Sequence, residues 1–362
     1  MVTMRGDQAM AKKGQPRRPL LCGYYGEHNL GDDALLEVLL SQLPSDCEPW
    51  VTAHDERWVG QRFGVRTCAR RRLLEVLGTL GSCDVLVLGG GSLLQDATSQ
   101  KSLLYYCLLM LVARLRFKPV VLWGQGLGPL RHLISRVLVR SVLPLASAIS
   151  WRDGESAQLA RRLGCRRSSV GSDPVWAYPR QTWRGDGGPI VLCWRPVKSL
   201  EPNGWVPYLQ ALEALVETTG REVVWLPFHR DQDQGLLQLL HQADLVPRTV
   251  AARSLEVDVE DPAAAMACFV RAGLVVAMRL HGLILAALAG SPVAALSYDP
   301  KVAAAARSLG CPLQDLEATP DPGLGEQWRQ QLDRPPAQEA IAALQAGTEV
   351  HAALLRQVLL RQ

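Results

Sequence analysis

The sequence predicts an α/β fold made of two Rossmann-like domains facing across a cleft, and three observations carry that expectation. The chain has 362 residues, more than a single core usually organises. Short apolar runs alternate with helix-length amphipathic runs almost throughout, as parallel strands covered by helices require. The alternation breaks once, in the turn-rich VGSDPVWAYPRQTWRGDGGP at 170–189, and then restarts. The expected layout is a flexible tail at 1–18, a first domain at 19–180, a second at 181–318, and a linker with a terminal helix at 319–362.

In chain order, PLLCGYYG (19–26) reads as a strand and GDDALLEVLLSQL (31–43) as its helix. CDVLVLGGG (83–91) is a second strand running into glycines, and an apolar helix follows at 101–116. KPVVLWGQGLG (118–128) is a strand with a glycine exit, HLISRVLVRSVLPLA is helical, and SAISWRD (147–153) is a strand. ESAQLARRLG ends at Gly164 as helices often end. After the break, IVLCWRP, REVVWLPFHRD, AGLVVAMRL and PVAALSYD read as strands, with GWVPYLQALEALVETTG as the helix between the first two. AQEAIAALQAGTEVHAALLRQVLL reads as one terminal helix able to pack across both domains.

Composition narrows the function classes. A hydrophobic share of 48% with 31 Gly and 23 Pro marks a globular chain. The net charge of +4 lacks the concentrated basic stripe of a phosphate-backbone binder, so no nucleic-acid partner is expected. The nine cysteines show no C-x-x-C spacing, so neither a zinc ribbon nor any other metal site is expected, and reduced buried thiols suit a cytoplasmic location. No apolar h-region follows the basic N-terminus. The longest apolar stretch, Leu103 to Ala113, falls short of the roughly 20 residues that span a bilayer. It reads as a core helix, with an interfacial position left open.

Ligands of open parallel sheets bind outside the carboxyl ends of the strands, and several exits here carry unusual polar residues. GYYGEHNLGDDALL sets Gly26, Asn29 and Gly31 around a strand-to-helix turn with Asp32 and Asp33. Such a turn either serves an anion at a helix N-terminus or is simply a capped turn. LGGGSLLQDATSQKS adds Gln95 and Asp96, and WGQGLGPL adds Gln125. Arg152 stands with Asp153 just past a strand, where a guanidinium can grip a carboxylate or phosphate, although a salt bridge with a helix cap has the same pattern. His229 lies at a strand exit of the second half. The strongest case is AMRLHGLILAALAGSPVAALSYDPK, a single βαβ unit. Its right-handed crossover brings Arg279 and His281 at the first exit beside Lys301 after the second. Unpaired cations gathered there would need a multiply charged anion; the alternative is that they pair with carboxylates such as Asp299.

At these residues the sequence resembles the polysaccharide pyruvyl transferases, and specifically their CsaB-type branch linked to cell-wall polymers. The resemblance runs from about residue 20 to about 315 and rests on GYYGEHNLGDDALL, GGGSLLQDATSQKSLLYY, QGLGPL, WRDGESAQLARRLG, SDPVW, PFHRDQD and RLHGLILAALAGSPVAALSYDPKV, in that order. It implies a glycosyltransferase-B-like pair of domains and transfer of a pyruvyl group from phosphoenolpyruvate onto two hydroxyls of one sugar. Phosphoenolpyruvate enters as co-substrate, with no cofactor. The resemblance assigns phosphoenolpyruvate to Arg152 and Arg279, and carries the family's histidine to His281 and its late lysine to Lys301. His281 is then the preferred acid/base, because its unperturbed pKa lies near neutrality. Asp32 or Asp33 would orient the acceptor hydroxyl, with the glycine-loop residues and His229 around it. His28 departs from the pattern, which has a small residue there. The implied acceptor is a lipid-linked or nucleotide-linked saccharide, and a lipid-linked one would bring the chain to the inner face of the cytoplasmic membrane. The competing readings are a nucleotide-sugar-dependent glycosyltransferase of the same fold and a non-catalytic anion- or polysaccharide-binding module.

Overall fold

The computed structural model describes residues 16–97, 99–201 and 203–360; residues 1–15 of the expected tail lie outside them. The strands are β1 (Pro19–Tyr25), β2 (Trp50–Ala53), β3 (Arg66–Ala69), β4 (Val85–Gly89), β5 (Val120–Gln125), β6 (Ala148–Trp151) and β7 (Ser169–Val170). After the crossover to the second sheet come β8 (Ile190–Cys193), β9 (Val223–Trp225), β10 (Ser254–Glu256), β11 (Leu274–Ala277), β12 (Val293–Ser297) and β13 (Leu313–Asp315). The first sheet is ordered β3-β2-β1-β4-β5-β6-β7 and the second β10-β9-β8-β11-β12-β13. All pairings between the named strands are parallel. Both sheets thus share the Rossmann order, in which the chain reverses direction beside the first strand and leaves a crevice there. The two crevices lie at β1/β4 and β8/β11.

The strands are apolar on both faces because helices cover both. Every residue of β4, β5, β11 and β12 is buried, as an all-parallel sheet requires. One core lies on the outer face of the first sheet around Leu88, Met110 and Val139, and another on the outer face of the second around Trp194, Trp205 and Trp328. The largest runs through both domains, joining Leu36 and Trp123 to Leu283 and Ile284. The domains therefore meet through continuous apolar packing as well as across the cleft.

One stretch holds elements that the sequence left unread, and one sequence expectation needs correction. Residues 44–82, over which the sequence names no element, hold β2, β3 and the helices Glu56–Phe63 and Leu73–Ser82; strands of four residues are too short to show an alternation. The expected single terminal helix is two, Gln338–Ala346 and Glu349–Leu359. The break falls where the Gly347 carbonyl turns aside to accept the Ser172 N–H at 3.1 Å, and a Cβ on Gly347 would collide with Ser172. The last described helix packs on β5 and β6 of the first sheet, although it follows the second sheet in sequence.

Candidate functional site

The two crevices face each other and enclose a cavity of about 290 Å³. Asn29 and Asp32 reach it from the exit of β1, Gly91 and Ser92 from β4, and Arg152 from β6. Phe228 follows β9, Arg279 and His281 follow β11, and Tyr298 and Lys301 follow β12. β11 and β12 are adjacent parallel strands, so the βαβ unit brings Arg279, His281 and Lys301 together as its crossover predicts. The loop after β1 is fastened to the opposite domain: the Leu30 N–H donates to the Phe228 carbonyl and the Arg230 N–H to the His28 carbonyl, both at 3.0 Å.

The cations are not unpaired, and that expectation is corrected. Arg279 makes a two-pronged pair with Asp233, its Nε donating to Oδ2 at 2.9 Å and its outer nitrogen to Oδ1. Asp233 is fully buried and also accepts the backbone N–H groups of Phe228 and His229, at 3.1 and 2.9 Å. Arg152 is buried, donating to Asp173 Oδ2 at 3.0 Å and to Ser92 Oγ at 3.0 Å. Asp173 also stands 3.6 Å from His281 Nε2. Burial pushes the Asp173 carboxyl up, but His281 and Arg152 outweigh it and hold the group well below the usual carboxylate range. Breaking such buried pairs costs more than forming them contributes, so Asp173 and Asp233 fix where the guanidiniums point.

Lys301 reaches across the cleft to Ser92 Oγ at 2.7 Å. Burial lowers its pKa to about 8, with Arg152 adding to the shift and Asp299 opposing it. Asp299 caps the helix Pro300–Leu309 by accepting the Lys301 backbone N–H at 3.0 Å, so its role is local and not the pairing weighed for it. Arg279 occupies the N-cap of the helix Leu280–Leu288 without a side-chain cap bond, which turns a helix N-terminus toward the same space. Gly31 lies under the His281 ring, where any Cβ would strike Nδ1.

On the facing wall Asp32 accepts from Asn29 Nδ2 at 2.5 Å. Burial raises its pKa to about 6, against the lowering pull of His281, Arg152 and Arg70. Asp33 does not share this place. It is buried behind the turn with neither carboxylate oxygen hydrogen-bonded, because adjacent helical residues point about 100° apart. The other loop candidates are mostly scaffold. Asp96 accepts the N–H groups of Arg131 and His132 at 2.8 and 2.9 Å and ties two loops together. Gln125 donates to the carbonyls of Leu88 and Gly90, holding the exit of β4 in shape. Gly26 has φ +68° against Asp55 and Val59, and Gln95 is half-buried outside the cavity lining. His229 is buried, pairs its backbone with Asn29 across the domains, and has its pKa lowered by burial and then by Arg279. His28 sits at φ +52°, a conformation that favours small or glycyl residues. It packs edge-on to Trp58 in a separate hollow of about 140 Å³.

Sequence reasoning did not single out Ser92, Asp173 or Asp233. SDPVW carries only the signal of a capped turn, which is there: Asp173 Oδ1 accepts the Val175 N–H at 3.1 Å while its other oxygen serves Arg152.

The family model for polysaccharide pyruvyl transferase matches residues 29–300, a span that contains every residue of the cavity wall named above except Lys301. No curated protein matches the chain. Among solved structures, the UDP-GlcNAc 2-epimerase from Methanocaldococcus jannaschii superposes with a TM-score of 0.60 at 12% identity over 93% of this chain and 98% of that one. Anabaena HepE in complex with UDP and glucose gives 0.55 at 14% over 94% and 98%. The spinosyn rhamnosyltransferase SpnG gives 0.51 at 16% over 95% and 100%. At these identities the likeness is one of fold, the glycosyltransferase-B-like pairing of two Rossmann-like domains. The family match covers most of the chain, and the chain belongs to the polysaccharide pyruvyl transferase family.

Proposed function

We propose that the protein transfers a pyruvyl group from phosphoenolpyruvate onto two hydroxyls of one sugar in a cell-wall or envelope polysaccharide precursor, forming a cyclic ketal. The observation that carries the reading is the meeting of Arg152, Arg279, Lys301 and His281 around one cavity of about 290 Å³. Phosphoenolpyruvate bears a carboxylate and a phosphate on a short carbon frame, so it needs cations at fixed spacing. Arg152 and Arg279, each oriented by a buried carboxylate, bind those groups, and Lys301 supports the phosphate.

His281 gives a proton to the methylene carbon, and positive charge develops on the carbon that bears the phosphate oxygen. One sugar hydroxyl attacks that carbon while Asp32 takes its proton. The bond from carbon to the phosphate oxygen breaks, phosphate leaves with the bonding pair, and the second hydroxyl closes the ketal. The two hydroxyl protons replace the one His281 gave and the one the phosphate carries away. The seven motifs in order support the cell-wall branch of the family, and with it a saccharide acceptor on a lipid or nucleotide carrier and a place of action at the inner face of the cytoplasmic membrane.

Calorimetry tests donor recognition. Phosphoenolpyruvate binds the wild type; Arg279→Ala weakens it by about 10²-fold, the loss of a charge-assisted pair worth roughly 3 kcal/mol, and His281→Ala weakens it less. Affinity falls as the pH rises through about 8, because Lys301 loses its proton there. Binding of a nucleotide sugar in this cavity, with none of phosphoenolpyruvate, would transfer the protein to the glycosyltransferase reading, which its UDP-bound structural neighbour HepE makes the natural competitor.

A further inference from the structure

Twelve large apolar side chains are exposed among the described residues, and eight of them lie between Leu74 and Val137. They sit on one layer of the first domain: the helices Leu73–Ser82, Gln100–Leu115 and Leu133–Val142, which pack side by side on the outer face of the sheet, turned away from the second domain. On the central helix Leu104, Leu111 and Leu115 follow each other at helical spacing along the outward side, while Leu103, Met110 and Ala113 fill the core. The next helix presents Leu133 and Ile134, 74% and 82% exposed. Just past the central helix Phe117 is 92% exposed at φ +57°, a conformation uncommon for an aromatic residue and one that leaves its ring without intramolecular packing.

The charge of the two helices Gln100–Leu115 and Leu133–Val142 and their flanks has one sign, while the helix Leu73–Ser82 carries Glu75 paired with Arg72 at 3.5 Å. From residue 97 to 151 the sequence contains no Asp or Glu, yet it contains Lys101, Arg114, Arg116, Lys118, Arg131, Arg136 and Arg140. All but Lys118 of these are exposed. Arg116 and Lys118 also anchor the segment around Phe117, donating to the carbonyls of Leu77 and Gly81 at 2.6 and 2.8 Å. On these two helices, apolar side chains set among cations with no carboxylate between them match an anionic bilayer, where the chains enter the interface and the cations meet phosphate headgroups. Eight exposed apolar side chains on adjoining elements of one face are more than the singly scattered exposure normal on a monomer.

The layer is also next to the cavity. The helices Gln100–Leu115 and Leu133–Val142 both begin from loops that follow β4 and β5, on the edge where the cavity lies. Asp96 and the bond from the Gly128 N–H to the Leu94 carbonyl, 2.9 Å, join those two loops.

We propose that this face docks the protein onto an anionic lipid surface, holding the edge of the cavity at the membrane. The inference does not depend on the donor chemistry, and its test reads no turnover. Full-length protein is sedimented with vesicles of phosphatidylcholine alone or of phosphatidylcholine with phosphatidylglycerol. Binding to the anionic vesicles only, weakened by added salt, is the expected result. Arg136→Glu with Arg140→Glu lowers the partition at least about twentyfold, since each cation near such a surface contributes about fivefold. Ile134→Asp lowers it as well, and both variants keep the wild-type circular dichroism spectrum. Absence of binding to the anionic vesicles, equal binding to the neutral ones, or wild-type retention by these variants would overturn the proposal. A dimer in solution that these substitutions convert to monomer would overturn it too, by showing a second copy on the same face.

Discussion

Each cation of the site is held by a specific oxygen, and the strain of the arrangement falls on Asp32. Its carboxyl has a pKa near 6 in the folded chain and about 3.9 when solvated. A carboxyl whose pKa is raised by folding is harmless below the solvated value, where both states are protonated. Its cost grows as the pH rises from about 4 to about 6 and is complete above that, at about 2 to 3 kcal/mol. Asp32→Asn removes the cost and keeps an oxygen for Asn29. Thermal unfolding is expected to show the variant several degrees more stable than the wild type at pH 7.5, with the gain vanishing near pH 4, while turnover drops by orders of magnitude. An unchanged melting temperature at pH 7.5 would mean that Asp32 is not desolvated. Arg279, His281 and Lys301 were legible in the sequence because one βαβ unit fixes their adjacency. Their partners were not: Asp233 stands 46 residues from Arg279, Asp173 stands 21 from Arg152, and Ser92 stands 209 from Lys301. Nothing in local spacing encodes such contacts: the first two form between loops of different strands within one sheet, and the third only once the two sheets face each other.

Among the elements, long periodic helices and fully buried strands declared themselves, and short strands at or next to a sheet edge, β2, β3 and β10, did not. Pairing with a neighbour gives those strands their structure, and three or four residues carry too little pattern to show it. The terminal helix Glu349–Leu359 gave a clear period but not its destination. It buries Leu355 and Leu359 against the first sheet, and His351 Nε2 lies 2.8 Å from the Ser172 carbonyl, next to Asp173. The end of the chain thus braces the turn that presents Asp173. Leu355→Ala is expected to cost about 2 to 5 kcal/mol, read as a fall in the denaturation midpoint. A loss below about 1 kcal/mol would show that this helix is not an integral layer of the fold.

At the scale of the whole molecule, two sheets of the same strand order place their crevices face to face, and continuous apolar packing holds the domains together. The cavity is therefore composite. Asp32, Ser92 and Arg152 come from the first domain, Arg279, His281 and Lys301 from the second, and neither half alone could surround a small dianion. On the proposed reading this composite cavity moves a pyruvyl group from phosphoenolpyruvate to a saccharide. Its most direct measurement is phosphate release from phosphoenolpyruvate with and without candidate lipid-linked or nucleotide-linked sugars, with mass analysis of the sugar product. Phosphate release that requires the sugar, a product heavier by pyruvate less water, and loss of both in His281→Ala is the predicted result. Consumption of a nucleotide sugar with phosphoenolpyruvate untouched, or wild-type turnover by His281→Ala, would contradict it.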